Sequence, residues 1–119
     1  MKIDRLKIYE KYAGHCAYCG EKIKMDNWHV DHIEPVIRDI YTKKYDKEKF
    51  DVEENLNPSC RSCNVIKNSF TLEQFRENVQ NFVNSLNSHS TQYKFAKKYN
   101  LIKETDKKVK FYFETYGVK

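Results

Sequence analysis

Two Cys-x-x-Cys pairs, Cys16-Ala17-Tyr18-Cys19 and Cys60-Arg61-Ser62-Cys63, hold all four cysteines of the chain. Each pair presents two thiols from one tight loop. Together the two loops supply the four soft ligands of a structural zinc site. Two disulfides are the alternative. The opening residues, Met1-Lys2-Ile3-Asp4-Arg5, do not read as a secretory signal, and paired CxxC knuckles then favour zinc. A staple matters here, because 119 residues with 33% charged side chains can build only a modest core. No hydrophobic run approaches the ~20 residues of a membrane span, so no membrane role is expected.

Between the pairs runs Trp28-His29-Val30-Asp31-His32-Ile33, read as a strand, and Pro35 ends it. A shorter strand is expected at 21–24, before the Asp26-Asn27 turn. Residues 2–12 read as an N-terminal helix with Ile3, Leu6 and Tyr9 on its apolar stripe. Residues 34–54 form a long connection, with a helical turn expected near Ile40–Lys44. Asn55-Leu56-Asn57-Pro58 leads into the second knuckle, and a helix is expected from Cys60 or Arg61 through Lys67. Thr71-Leu72-Glu73-Gln74 is a capping-box pattern. Leu72, Phe75, Val79, Phe82 and Leu86 then give one helical stripe through about Asn87. Residues 91–100 suggest another helix, and Val109–Thr115 alternates as a strand. The fold class is α+β.

The chemistry concentrates at the end of the central strand. Asp31 offers a hard carboxylate oxygen suited to Mg²⁺ or Mn²⁺. Histidine titrates near neutrality, so His32 suits removal of a proton from water. Asn64 follows Cys63 directly and offers an amide oxygen from the first turn of a helix. Chelation by Cys60 and Cys63 would fix where that helix begins, so a structural metal would position a catalytic one.

The order Cys16/Cys19, Val30-Asp31-His32-Ile33-Glu34-Pro35, Glu54-Asn55-Leu56, Cys60 to Asn64 and Lys67 resembles the HNH endonucleases. The resemblance spans roughly residues 14–70. It implies a ββα-metal core stapled by zinc on Cys16, Cys19, Cys60 and Cys63. It also implies His32 as general base, Asp31 and Asn64 as ligands of Mg²⁺ or Mn²⁺, and Asn55 as the residue that pins the loop. Lys67 is implied on a phosphate. Arg61 and His29 are further candidates for substrate contact, and Arg38, Lys43 and Lys44 weaker ones. The third motif residue is Asn64 where histidine is common. The division expected is a nuclease core over 1–70 and a C-terminal extension over 71–119, packed on it and ending in a strand. That extension is similar to the tails of small phage-type HNH proteins, which suggests the cytoplasm of a bacterial host cell.

Residues 1–88 carry 14 Lys+Arg against 14 Asp+Glu, whereas residues 89–119 carry 8 Lys against 3 Asp+Glu. The net charge of +5 therefore lies in the tail. That suits a polyanion such as DNA, though a solvated lysine-rich face is the plain alternative. Hydrolysis of DNA phosphodiester bonds with little sequence selectivity is the expected function. The alternatives are a non-catalytic zinc-knuckle binder and an adaptor whose tail docks a protein. Phe111, Tyr112 and Phe113 could stack on bases, but core packing suits them better.

Overall fold

The structure, a computed structural model, describes residues 3–36 and 41–117. Helix α1 (Arg5–Glu10) is capped by Asp4, whose carboxylate accepts from the Lys7 N–H at 3.2 Å. It is shorter than expected, and its buried residue is Ile8 while Leu6 is half exposed. The chain leaves α1 through Ala13 and Gly14, both at positive φ. At Gly14 a Cβ would meet the Tyr9 hydroxyl at 3.0 Å, so glycine suits the turn on two counts.

Strand β1 (His29–His32) pairs antiparallel with β2 (Leu56–Ser59), in the register His29↔Ser59, Val30↔Pro58, Asp31↔Asn57, His32↔Leu56. The short strand expected at 21–24 is corrected. Residues 21–24 make only isolated bridges, His15↔Lys22 and Lys24↔Asn27. Pro58 hid the true partner, since proline demotes a strand reading. It is tolerated because a two-stranded sheet has only edges. Its carbonyl accepts from the Ala17 N–H at 2.9 Å, which ties the first knuckle to β2. Lys11 secures the start of β2, donating to the carbonyls of Glu53 at 2.9 Å and Leu56 at 2.8 Å. Burial holds its pKa below the ordinary lysine value.

The connection between the strands contains helix α2 (Lys47–Phe50), capped by Asp46, and a 3₁₀ turn at Glu53–Asn55. Tyr41 and Thr42 form a turn, while Arg38 and Ile40 lie outside the described residues. Helix α3 (Arg61–Lys67) follows β2 directly, with the Cys60 sulfur capping it from 3.4 Å. Helix α4 (Leu72–Gln80) carries the full Thr71/Gln74 capping box. The expected single helix through Asn87 is instead broken at Asn81, and α5 (Phe82–His89) and α6 (Thr91–Lys98) follow.

The expected C-terminal strand is a second correction. Residues 112–115 form one helical turn, α7 (Tyr112–Thr115). The Glu114 carboxylate accepts from the Phe111 N–H at 2.8 Å and is gripped by Arg76 at 2.7 and 2.5 Å. The Tyr112 and Phe113 N–H groups go to the carbonyls of Tyr18 at 3.0 Å and Ala17 at 2.7 Å. With those donors spent on the first knuckle, no ladder forms. Phe111 is buried against Phe75, with ring centroids 5.1 Å apart and planes at 15°. Each such side chain contributes about 1.5–3 kcal/mol by leaving water. The core joins Ile8, Cys16, Ala17, Tyr18, Ile23, Trp28 and Leu56 to these two rings.

Candidate active site

The two knuckles meet. The ligand atoms of Cys16, Cys19, Cys60 and Cys63 all lie within 4.8 Å of one another. Thiolates placed tetrahedrally at ~2.3 Å from zinc are separated by about 3.8 Å. Cys19 Sγ and Cys60 Sγ are 3.8 Å apart. Backbone N–H groups of Tyr18, Glu21 and Cys63 point at the sulfurs of Cys16, Cys19 and Cys60, each at 3.4 Å, as suits thiolates. Without a cation so many thiols cannot all ionise together. A hydrogen bond from Cys63 draws Cys16 down to about 4, and the same bond drives Cys63 far up. Burial raises Cys19 to about 11. The donor set fits zinc. Among the described residues it is the one group of three or more His, Cys, Asp or Glu side chains gathered closely enough to hold an ion.

Asp31 points inward from β1 and is only 5% exposed. Its Oδ2 accepts from the Tyr18 hydroxyl and lies 3.1 Å from the Lys67 ammonium. Its Oδ1 accepts a longer hydrogen bond from Lys67 at 3.5 Å. Burial raises the Asp31 pKa, and the bonds from Tyr18 and Lys67 work against that rise. Lys67 itself is fully buried and donates to the His32 carbonyl at 2.8 Å. The expected phosphate contact is thus corrected: this ammonium is internal, committed to Asp31 and to the backbone beside it.

His32 places Nε2 2.6 Å from Asp51 Oδ1, and the Tyr45 hydroxyl donates to Asp51 Oδ2 at 3.1 Å. With Nε2 engaged on a carboxylate, Nδ1 is the ring nitrogen left to accept a proton. Asp31, His32 and Asn64 line one cavity of about 250 Å³, together with Pro35, Tyr45, Asn68 and Ser69 among others. Asn64 stands in the first turn of α3, directly after the Cys63 thiol. The hard oxygens of Asp31 and Asn64 suit Mg²⁺ or Mn²⁺, which keep waters and accept few protein ligands.

Asn55 closes the base of the long connection. Its Oδ1 accepts from the Glu34 N–H at 2.8 Å, and its Nδ2 donates to the carbonyls of Phe50 at 3.0 Å and Glu34 at 3.3 Å. His29 and Arg61 are exposed and are not among the side chains lining the cavity. Nothing in the sequence marks Asp51, Tyr45 or Tyr18 as site residues. Asp51 is separated from His32 by 19 residues with no shared periodicity, and only the α2 turn brings it there.

The family model described as HNH endonuclease matches residues 16–70. That segment, which holds the β1–β2–α3 core and the cysteine cluster, matches an HNH domain, and the match suggests a nuclease family. No curated protein and no solved structure matches the chain.

Proposed function

We propose that the chain is a metal-dependent endonuclease that hydrolyses phosphodiester bonds of DNA, with little sequence selectivity of its own. The observation that carries this reading is the convergence of Asp31, His32 and Asn64 on one cavity, with His32 backed by the buried Asp51. Asp31 Oδ1 and the Asn64 amide oxygen would hold Mg²⁺ or Mn²⁺. When bound, the ion supplies positive charge for the phosphate oxygens and the leaving 3′ oxygen. His32 Nδ1 takes the proton of the attacking water. Asp51 keeps the other nitrogen protonated, which holds the ring in one tautomer and stabilises the imidazolium as it forms. The four cysteines hold zinc as a structural ion. Exposed lysines of the tail suit phosphate contacts that position DNA without specifying its sequence.

A protein partner on the extension is a second reading, favoured by one observation. Helices α5 and α6 bury no residue, and Phe82, Val83, Leu86 and Phe95 on them are 37–51% exposed. Among the described residues no helix is long and apolar enough to cross a membrane. A setting in the cytoplasm of a bacterial host is part of the proposal.

The test is incubation of supercoiled plasmid with pure protein, with and without Mg²⁺. Metal-dependent nicking supports the enzyme, whereas binding without any strand scission supports the non-catalytic binder. Metal choice probes Asn64 in the same assay. Asn64→Ala should lose most activity with every metal. Asn64→His should stay active and shift toward Ni²⁺, Co²⁺ and Zn²⁺, which imidazole suits. An Asn64→Ala rate equal to wild type would remove Asn64 from the site.

Asp51 gives a further expectation. Asp51→Asn can turn its NH₂ toward Nε2, which strips that nitrogen of its proton and places the proton on Nδ1. The equivalent change in the serine-protease triad costs about 10⁴-fold. Here roughly 10²-fold or more is expected, read as initial nicking rate at unchanged zinc content. A rate within twofold of wild type would leave Asp51 without a part in the reaction.

A further inference from the structure

The first knuckle carries a residue that neither zinc chelation nor the HNH pattern requires. Tyr18 sits between Cys16 and Cys19, and its hydroxyl is buried on Asp31 Oδ2. The ring is held edge-on by Phe75, Phe111 and Phe113, at centroid distances of 5.5, 5.4 and 6.0 Å. Its N–H donates to the Cys16 sulfur at 3.4 Å, and its carbonyl accepts from Tyr112 at 3.0 Å. Phenylalanine would fill the same aromatic box with no polar group to satisfy. A buried hydroxyl costs free energy unless it is bonded, and this one is bonded to the carboxylate assigned to the catalytic ion.

We propose that Tyr18 is a positioning residue for Asp31, through which the zinc knuckle and the C-terminal extension set the orientation of the metal-binding carboxylate. This rests on the reading of Asp31 as a ligand. Tyr18 donates to Oδ2, and the Lys67 ammonium spans both oxygens, 3.1 Å from Oδ2 and hydrogen-bonded to Oδ1 at 3.5 Å. Tyr18 is therefore the close hydroxyl donor that fixes the Oδ2 side of the carboxylate. The two anchors come from the two halves of the zinc site: Tyr18 lies within the first knuckle, and Lys67 lies on the helix that follows the second. Phe75, Phe111 and Phe113 belong to the extension, so the extension also acts on Asp31 through the ring it clamps. Hydrogen bonds that orient a ligating side chain are typically worth about 10–100-fold in metal affinity or activity.

The test uses the full zinc-loaded chain with Mn²⁺ as probe, in wild type, Tyr18→Phe and Asp31→Asn. Free Mn²⁺ is read by electron paramagnetic resonance, and nicking is followed across a Mg²⁺ titration. Tyr18→Phe should keep one zinc per chain and a near-wild-type melting curve, because the ring still fills its box. Its Mn²⁺ affinity should fall about 10-fold or more. The half-saturating Mg²⁺ concentration should rise in step, with part of the rate recovered at saturation. A folded, zinc-loaded Tyr18→Phe that binds Mn²⁺ as wild type overturns the proposal. So does a Tyr18→Phe chain that loses zinc or unfolds, since Tyr18 would then be a residue of the fold. Asp31→Asn separates the two levels. If it binds Mn²⁺ as tightly as wild type, the ligand reading itself fails. If it loses Mn²⁺ while Tyr18→Phe does not, only the positioning role falls.

Discussion

His32→Ala should abolish plasmid nicking while zinc content, melting and DNA binding stay close to wild type. The side chain is 24% exposed and lines an open cavity, so its removal leaves no sealed void in the core. The group left behind is Asp51, which keeps the Tyr45 hydroxyl as a donor at 3.1 Å. Stability should therefore change little. The rate should not survive, because among the described residues no second imidazole lines the cavity. General-base catalysis is worth about 10²–10⁴-fold alone, and more where the base and an ion act as one unit. The measurement is the initial rate of supercoiled-to-nicked conversion in Mg²⁺, beside a mobility-shift titration with metal chelated. A His32→Ala protein that nicks as fast as wild type would show that another group, or the ion alone, activates the water.

The parts of this molecule that sequence reveals are those fixed by local chemistry. The CxxC spacing marks both knuckles, because each pair of thiols comes from a single turn. Thr71 and Gln74 announce α4, since both capping bonds are made within four residues. Helix α3 begins where the Cys60 sulfur caps it. What sequence conceals is set by distant partners. Pro58 disguises β2, yet the strand forms because Val30 and the Ala17 N–H are brought against it. The alternation of Val109 to Thr115 suggests a strand, but Arg76 and the carbonyls of the first knuckle take the groups a ladder would use.

The candidate site divides the same way. Asp31, His32 and Asn64 stand beside cysteines or a strand end and are visible as a motif. Asp51 and Tyr45 reach His32 from the connection between strands, where no periodicity marks them. Lys67 shows how a motif position can mislead about its work. A lysine in a nuclease motif suggests a phosphate, yet here the ammonium is fully buried on the Asp31 carboxylate. A tyrosine between two cysteines of a CxxC pair reads as filler, and only the fold shows that its hydroxyl touches Asp31.

Cys16→Ser should unfold the chain or drive it to aggregate, and the purified wild type should carry one zinc per chain without any being added. Cys16 is fully buried and sits in the core cluster beside Ala17, Tyr18 and Leu56. Serine there loses a soft thiolate ligand and buries a hydroxyl among apolar groups. Structural zinc contributes on the order of 10 kcal/mol of folding free energy in small domains. A whole domain is stable by only about 5–15 kcal/mol, so most of the margin disappears with the ion. The sulfurs also join segments far apart in sequence, since Cys19 and Cys60 are separated by 41 residues. Losing that link frees the start of α3, and with it Asn64 and Lys67. Native mass spectrometry reads the metal, and circular dichroism reads the fold. A zinc-free chain with an unchanged melting curve would end the structural role. An intermediate result, in which Cys16→Ser folds but loses both nicking and Mn²⁺ affinity, would show that the knuckle still governs Asp31 after it ceases to govern the fold.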